Sequence, residues 1–123
     1  MKYSKKDLGQ QGENAAVDFL TRQGYRILER NFHNKLGEID IIALDDGVIC
    51  FIEVKTRRTA VSGTPFEAIS RIKQFKIAQL ALSYLKYKKL LDQPARFDVI
   101  AVLTGAHDPM RVEIIKNAFD FPA

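Results

Sequence analysis

The chain has 123 residues, of which 46% are hydrophobic and 28% charged. This size and composition predict one globular domain over residues 1 to 123 and exclude a disordered or low-complexity protein. The longest unbroken apolar runs, such as Val48 to Ile52, are too short to cross a bilayer, so no membrane association is expected. Its lone cysteine, Cys50, predicts a buried thiol without a disulfide, and a reducing cytoplasm is the expected location.

Positive charge is concentrated in one part of the sequence. The net charge is +4, but between Lys55 and Leu91 only Glu67 is acidic and nine residues are basic. The nine are Lys55, Arg57, Arg58, Arg71, Lys73, Lys76, Lys86, Lys88 and Lys89. Such segregation favours a surface that faces nucleic acid, although a solvated helix face has the same composition.

The first half of the chain predicts a helix followed by three strands. Apolar and small residues recur at helical spacing from Asp7 to Gln23, and Gly24 is a typical C-terminal stop. Aromatic and β-branched residues predict strands over Tyr25 to Phe32, Glu38 to Leu44 and Val48 to Thr56. The last of these is apolar on both alternating faces, which is typical of a central strand.

The second half predicts a basic, amphipathic helix and two more strands. Ser70 can cap a helix to about Lys89, with a buried stripe at Phe75, Ala78, Leu82 and Leu85. The two strands are Arg96 to Leu103 and Arg111 to Lys116. The element order α-β-β-β-α-β-β predicts an α/β sandwich, with a central mixed β-sheet flanked by helices.

The turn between the second and third strands predicts where the charged residues meet. A two-residue loop at Asp46 and Gly47 is a strong hairpin signal and pairs Asp45 with Val48. Counting outward in this register predicts cross-strand pairs that include Ala43 with Cys50, Asp40 with Glu53, and Glu38 with Lys55. Two carboxylates would then face each other within the sheet, at Cβ separations of roughly 4.5 to 5.5 Å.

Opposed carboxylates need compensation by a shared proton, a neighbouring cation or a bound metal. Lys55 projects to the same side as Glu53 because residues i and i+2 of a strand share a face. Two carboxylates with water and phosphate oxygens suit Mg²⁺, so hydrolysis of a phosphodiester is a chemical possibility. The alternative is structural: Glu38 and Lys55 form an ordinary salt bridge, and water screens Asp40.

Two segments of the sequence resemble a known family. The stretch from Gly37 to Ala43 (Gly-Glu-Ile-Asp-Ile-Ile-Ala) and the stretch from Phe51 to Arg57 (Phe-Ile-Glu-Val-Lys-Thr-Arg) closely resemble the YraN-like family of small bacterial proteins. The likeness spans nearly the whole chain, including Gly12-Glu13 and Arg30-Asn31-Phe32. That family is similar to the restriction-endonuclease-like superfamily, named for its Pro-Asp then Asp/Glu-x-Lys signature, and to archaeal Holliday junction resolvases.

The resemblance implies a restriction-endonuclease-like three-layer sandwich and a set of site residues. Asp40 and Glu53 would be metal ligands for Mg²⁺ or Mn²⁺, Lys55 the catalytic lysine, and Glu13 a further acid that reaches the metal. Ile39 stands where the superfamily name has proline, a position without a catalytic group. The implied partner is DNA, in branched or processed form, and a homodimer would supply the two centres needed to cut both strands of a junction.

Residues beside the predicted site are candidates for phosphate contacts. They are Arg57, Arg58, Arg71, Lys73 and Gln74, which follow the third strand or begin the second helix. The leading hypothesis is a metal-dependent nuclease acting on DNA. The alternatives are a non-catalytic nucleic-acid-binding module with the same fold, and an assembly protein with an inert acidic cluster.

Overall fold

In the part of the chain that the structure describes, two helices and five strands follow one another in the predicted order. The computed structural model describes residues 5–58, 69–105 and 110–121, without the side chains of Lys5, Lys6 and Arg58. The elements are α1 (Lys5–Arg22), β1 (Arg26–Asn34), β2 (Gly37–Asp45), β3 (Val48–Arg58), α2 (Arg71–Tyr87), β4 (Ala95–Thr104) and β5 (Arg111–Phe119). The α/β class and the order α-β-β-β-α-β-β are thereby confirmed. No helix within these ranges is long and apolar enough to span a membrane.

The five strands form one mixed sheet in the order β1-β2-β3-β4-β5. Strands β3 and β4 are parallel, and the other neighbouring pairs are antiparallel. Helix α2 connects β3 to β4, because parallel neighbours need a crossover. Strand β3 is therefore central, as its apolar faces predict.

Each face of the sheet carries its own apolar cluster. On one face Phe51 and Phe97 pack with residues of α2, among them Leu80. On the other face Ile52 and Ile100 pack with residues of α1, including Ala16 and Leu20. Alternation along β3 sends successive side chains to opposite helices, so the sheet is the middle of three layers.

Cys50 is fully buried in the cluster on the α1 face, which confirms the predicted buried thiol. Burial raises the pKa of this thiol to about 12, so the sulfur stays protonated at neutral pH. Cys50 is therefore a packing residue and not a nucleophile.

The buried face of α2 differs from the predicted one. Ala78 and Leu85 are buried as expected, but Phe75 is 49% and Leu82 41% exposed. The residues of α2 that are buried are Ile77, Ala78, Leu80, Ala81, Tyr84 and Leu85. Apolar residues occur around much of the circumference of α2, so their spacing fits more than one buried stripe. Contact with the sheet determines which stripe is buried.

Candidate active site

The β2–β3 hairpin begins in the predicted register and ends earlier than predicted. Asp45 pairs with Val48 and Ala43 with Cys50, but the ladder stops at Ile41 and Ile52. The predicted pairs of Asp40 with Glu53 and of Glu38 with Lys55 are not part of it. A physical reason lies in β2 itself: Ile39 and Ile42 pack in the same apolar cluster, so the alternation of faces is interrupted between them.

Asp40 lies at this interruption, where the backbone ladder between β2 and β3 has ended. Its side chain, and not a backbone carbonyl, accepts a hydrogen bond from β3. Its Oδ2 atom accepts a hydrogen bond of 2.7 Å from the backbone N–H of Val54. Burial raises the pKa of Asp40 to about 7, helped first by the negative charge of Glu53 and then by those of Glu13 and Glu38, against the lowering effect of the Val54 hydrogen bond. Several carboxylates therefore act on one partly buried acid, and Glu53 has the largest effect among them.

Helix α1 lies close enough to β3 to place Glu13 near Asp40. A Cβ atom on Gly12 would overlap the hydroxyl of Thr56 and lie 3.1 Å from its Cβ, so only glycine permits this approach. The next residue, Glu13, is held from the side of β1. Its Oε1 accepts hydrogen bonds from Nε of Arg30 at 3.2 Å and from Nδ2 of Asn31 at 3.1 Å.

Glu53 is held from the side of α2. Nζ of Lys73 lies 2.6 Å from Oε1 of Glu53, and the carboxylate side chain is only 12% exposed. Ser70 fixes the start of α2, because its hydroxyl accepts a hydrogen bond from the backbone N–H of Lys73 at 3.2 Å, as predicted for a capping residue. Lys55, two residues beyond Glu53 on β3, projects to the same side of the sheet and is partly buried.

A groove of about 620 Å³ opens between α1 and the sheet beside Asp40. The residues that line it are Leu8, Gly9, Glu13, Asp40, Val54, Thr56 and Arg57. Asp40 and Glu13 thus face one open cavity. Glu53 does not line this cavity and pairs with Lys73 of α2. The charge of Glu53 acts on Asp40 at the point where the β2–β3 ladder has ended.

The donor set fits a hard divalent cation. Within the part of the chain that the structure describes, each acid uses one carboxylate oxygen for protein contacts: Oε1 of Glu13, Oδ2 of Asp40 and Oε1 of Glu53. Their second oxygens accept no hydrogen bond from a described residue, and carboxylate oxygens are ligands that Mg²⁺ prefers. Over the described ranges, no three His, Cys, Asp or Glu side chains form a group close enough to hold a metal by themselves. Mg²⁺ does not require such a cage, because it keeps several water ligands.

The other candidates for phosphate contacts take different positions. Arg57 lines the groove, and its Nη1 donates to the carbonyl of Thr56 at 3.0 Å. Arg71 is exposed at the start of α2. Nε2 of Gln74 donates to the carbonyl of Ile69 at 2.9 Å, which secures the entry into α2. The side chain of Arg58 lies outside the described residues.

Sequence reasoning missed the residues that hold the acids in place. Arg30 and Asn31 fix Glu13, and Lys73 was a candidate for phosphate contacts, not for an ion pair with Glu53. Asn31 has a φ of 55° within β1, a left-handed conformation that asparagine tolerates better than most residues. An asparagine between Arg30 and Phe32 in a predicted strand was the available signal.

Comparison with known proteins places the chain among small bacterial proteins. The family model described as "Uncharacterised protein family UPF0102" matches residues 12–102. A "UPF0102 protein" of Geotalea uraniireducens is 50% identical over 94% of this chain and 91% of its own length. A relative of the same description from Clostridium botulinum is 50% identical over 97% of this chain and 98% of its own. One from Symbiobacterium thermophilum is 48% identical over 91% and 95%, respectively.

Proposed function

The chain belongs to the uncharacterised protein family UPF0102, and from the chemistry of its own site we propose that it is a metal-dependent nuclease that hydrolyses phosphodiester bonds in DNA. Branched or processed DNA is the proposed substrate class. Asp40, Glu53 and Lys55 form the reaction centre; Asp40 and Glu53 would hold Mg²⁺ or Mn²⁺, and Glu13 is a further acid that reaches the metal directly or through water.

The observation that carries this proposal is the environment of Asp40. Its pKa is raised to about 7 by burial and by three other carboxylates, which is an unfavourable arrangement for a residue that serves only structure. Perturbed acids that face an open groove are typical of functional sites. A divalent cation would relieve the repulsion, with Asp40 and Glu53 supplying oxygen ligands and Glu13 a further acid that reaches it directly or through water.

Each residue of the site has a separate task in this proposal. When bound, the metal supplies an activated water and neutralises charge on the phosphate. Lys55 orients the attacking water or stabilises the negative charge that develops on the phosphate oxygens. Arg57, at the groove, and Arg71 and Lys73, at the start of α2, contact neighbouring phosphates. Binding of a phosphate here draws Lys73 away from Glu53 and frees its carboxylate.

A cleavage assay tests the proposed reaction. Purified protein with Mg²⁺ or Mn²⁺ is incubated with end-labelled linear, flapped and four-way DNA. We expect Glu53→Gln and Asp40→Asn to lower the cleavage rate by about 100-fold or more, because each removes a metal ligand. Asp46→Asn is the matched control, since Asp46 is exposed in the hairpin turn with a φ of 48° that asparagine accepts. Cleavage that survives Glu53→Gln or chelation contradicts the mechanism.

Metal binding can be measured without cleavage. We expect Mn²⁺ to raise the melting temperature of the wild-type protein at pH 8, because a ligand that binds only the folded state stabilises it. The shift should be much smaller for Asp40→Asn and unchanged for Asp46→Asn. Equal shifts in all three proteins would place the bound ion elsewhere.

One observation favours a second candidate, a nucleic-acid-binding module without catalysis. Each acid of the site already has a protein partner: Glu13 has Arg30, Asp40 has the Val54 amide, and Glu53 has Lys73. On this alternative, DNA binds in a salt-dependent manner and emerges uncut with either metal. Unaltered substrate together with an absent Mn²⁺ shift would select it over the nuclease.

A further inference from the structure

Among the residues that the structure describes, none of the core covers an apolar surface at the start of α2. Ile72 is 71% exposed, Phe75 is 49% exposed, and Leu36 from the β1–β2 turn is 44% exposed. These three residues line one shallow depression, together with Arg71, Lys76 and Gln79. We call these six residues the α2 surface.

The α2 surface is not part of the sheet packing. Residues 72, 75, 76 and 79 follow helical spacing and occupy one side of α2, whereas Ile77, Leu80 and Ala81 are buried against the sheet. Exposed aliphatic and aromatic groups in one patch are unfavourable in water unless a ligand or partner covers them. An occupant is therefore expected.

Charge decides what kind of occupant fits. Helix α2 contains four basic residues, Arg71, Lys73, Lys76 and Lys86, and no acidic residue. Two copies of this helix facing each other would bring like charges together, which argues against a second copy of the chain. An occupant with a flat apolar part and negative charge matches both features. Unpaired nucleotides have this chemistry, since a base can stack on an aromatic ring while cationic side chains bind the phosphates.

The α2 surface adjoins the candidate active site. Lys73 stands between Ile72 and Phe75 in sequence and pairs with Glu53 at 2.6 Å. A strand whose base rests on Phe75 would therefore have phosphates close to the acid.

We propose that the α2 surface binds an unpaired nucleotide of the nucleic-acid substrate, with its base against Phe75 and its phosphates at Arg71 and Lys76. This rests on the proposed function for the identity of the substrate. It adds a substrate class: DNA with unpaired bases next to the bond that is cut, in preference to continuous duplex.

Binding measured in EDTA tests this proposal without any cleavage. Fluorescence anisotropy compares a labelled single strand with a labelled blunt hairpin duplex at one salt concentration. We expect Phe75→Ala to weaken binding of the single strand about tenfold, which is typical of a lost base–aromatic stack, and to leave duplex binding unchanged. Phe75 is half-exposed, so the variant should fold, and its melting temperature checks this.

Tyr87→Ala is the matched control. Tyr87 is a 77% exposed aromatic residue at the opposite end of the same helix, with Nζ of Lys88 lying 5.3 Å from its ring centroid. We expect this variant to bind both DNAs like the wild type. A loss with Tyr87→Ala and none with Phe75→Ala would overturn the proposal.

Other outcomes also decide against the α2 surface as a base-binding site. Equal losses on single strand and duplex would show that Phe75 does not read unpaired bases. A dimer in size-exclusion chromatography that Phe75→Ala dissociates would assign the surface to contact between copies. Cleavage tests the nuclease proposal separately. Single-strand binding that depends on Phe75, without any cleavage, would refute only the nuclease proposal. Cleavage without a preference that depends on Phe75 would refute only the proposed base-binding site.

Discussion

Asp40 combines a structural and an electrostatic role in one side chain. It satisfies the backbone N–H of Val54 where the β2–β3 ladder has ended, and it lies among the carboxylates of Glu53, Glu13 and Glu38. The hydrogen bond favours the ionised form, while burial and the neighbouring charges oppose it. The pKa of Asp40 is raised, so burial and the neighbouring negative charges outweigh the hydrogen bond from Val54.

This balance predicts how stability depends on pH. The pKa of Asp40 is about 7 in the folded protein and close to its ordinary value of 3.8 when unfolded. Between these values the folded protein holds a proton that the unfolded chain releases, so the free energy of unfolding falls as the pH rises. Asp40→Asn removes this dependence and keeps an oxygen that can accept from Val54.

We expect Asp40→Asn to gain stability relative to the wild type by roughly 3 to 4 kcal/mol between pH 4 and pH 8 in EDTA. Urea denaturation of both proteins across this range measures the difference. Asp46→Asn, at an exposed acid, is the control and should track the wild type. A constant difference between Asp40→Asn and the wild type would contradict the electrostatic account.

At the scale of elements, the close approach of α1 to β3 depends on a glycine at position 12. Gly12 faces Thr56 so closely that a Cβ has no room. Glu13 follows on the same helix, so the distance of α1 from the sheet also sets the distance of Glu13 from Asp40. Residues Arg30 and Asn31 of β1 then hold the Glu13 carboxylate.

Gly12→Ala should therefore displace α1 from β3. We expect a loss of about 1 to 3 kcal/mol in the free energy of unfolding, typical of an overpacked contact, and weaker binding of Mn²⁺ through the displaced Glu13. Gly9→Ala is the matched control on the same helix, since a Cβ there meets nothing within 4 Å. It should be neutral or stabilising by up to about 1 kcal/mol, because alanine favours helix. Equal effects of the two variants on unfolding would contradict the close contact.

At the scale of the whole molecule, a polar network joins distant elements across the sheet. Arg96 of β4 donates to Asp98 at 3.0 Å, to the hydroxyl of Tyr25 at 3.0 Å and to Asp45 at 2.8 Å. Asp98 is 1% exposed and also accepts the backbone N–H of Asn117 at 2.8 Å. The network thus links the segment after α1, the end of β2, β4 and β5, away from the acids of the candidate site.

Removing the arginine should destabilise the protein strongly. Arg96→Ala leaves the buried carboxylate of Asp98 without its positive partner, and we expect a loss of about 3 to 5 kcal/mol in the free energy of unfolding. Arg111→Ala is the control, because Arg111 is 70% exposed and its ion pair with Glu113 is 3.7 Å long. Urea denaturation should show almost no change for this control. A similar small effect of Arg96→Ala would mean that water solvates Asp98 in the variant.

Much of the fold follows from local chemistry that the sequence displays. The Asp46-Gly47 turn fixes the start of the hairpin register, and two apolar faces on β3 require a central strand. The helical spacing of α1 and α2 and the Ser70 cap are likewise local signals. Asp40 and Glu53 were selected as neighbours by the same counting, whereas Glu13 was suggested by family resemblance alone.

What the sequence determined by itself was the order of elements and the start of the hairpin register, because periodicity and turn chemistry act over a few residues. Only the tertiary structure decided the surroundings of those acids: the interrupted alternation at Asp40, the pairing of Glu53 with Lys73, and the exposure of Phe75. These features depend on how helices pack on the sheet and on contacts between residues distant in the chain. Local patterns do not encode such contacts. When the spacing of apolar residues fits two faces of a helix, the element that the helix packs against determines which face is buried.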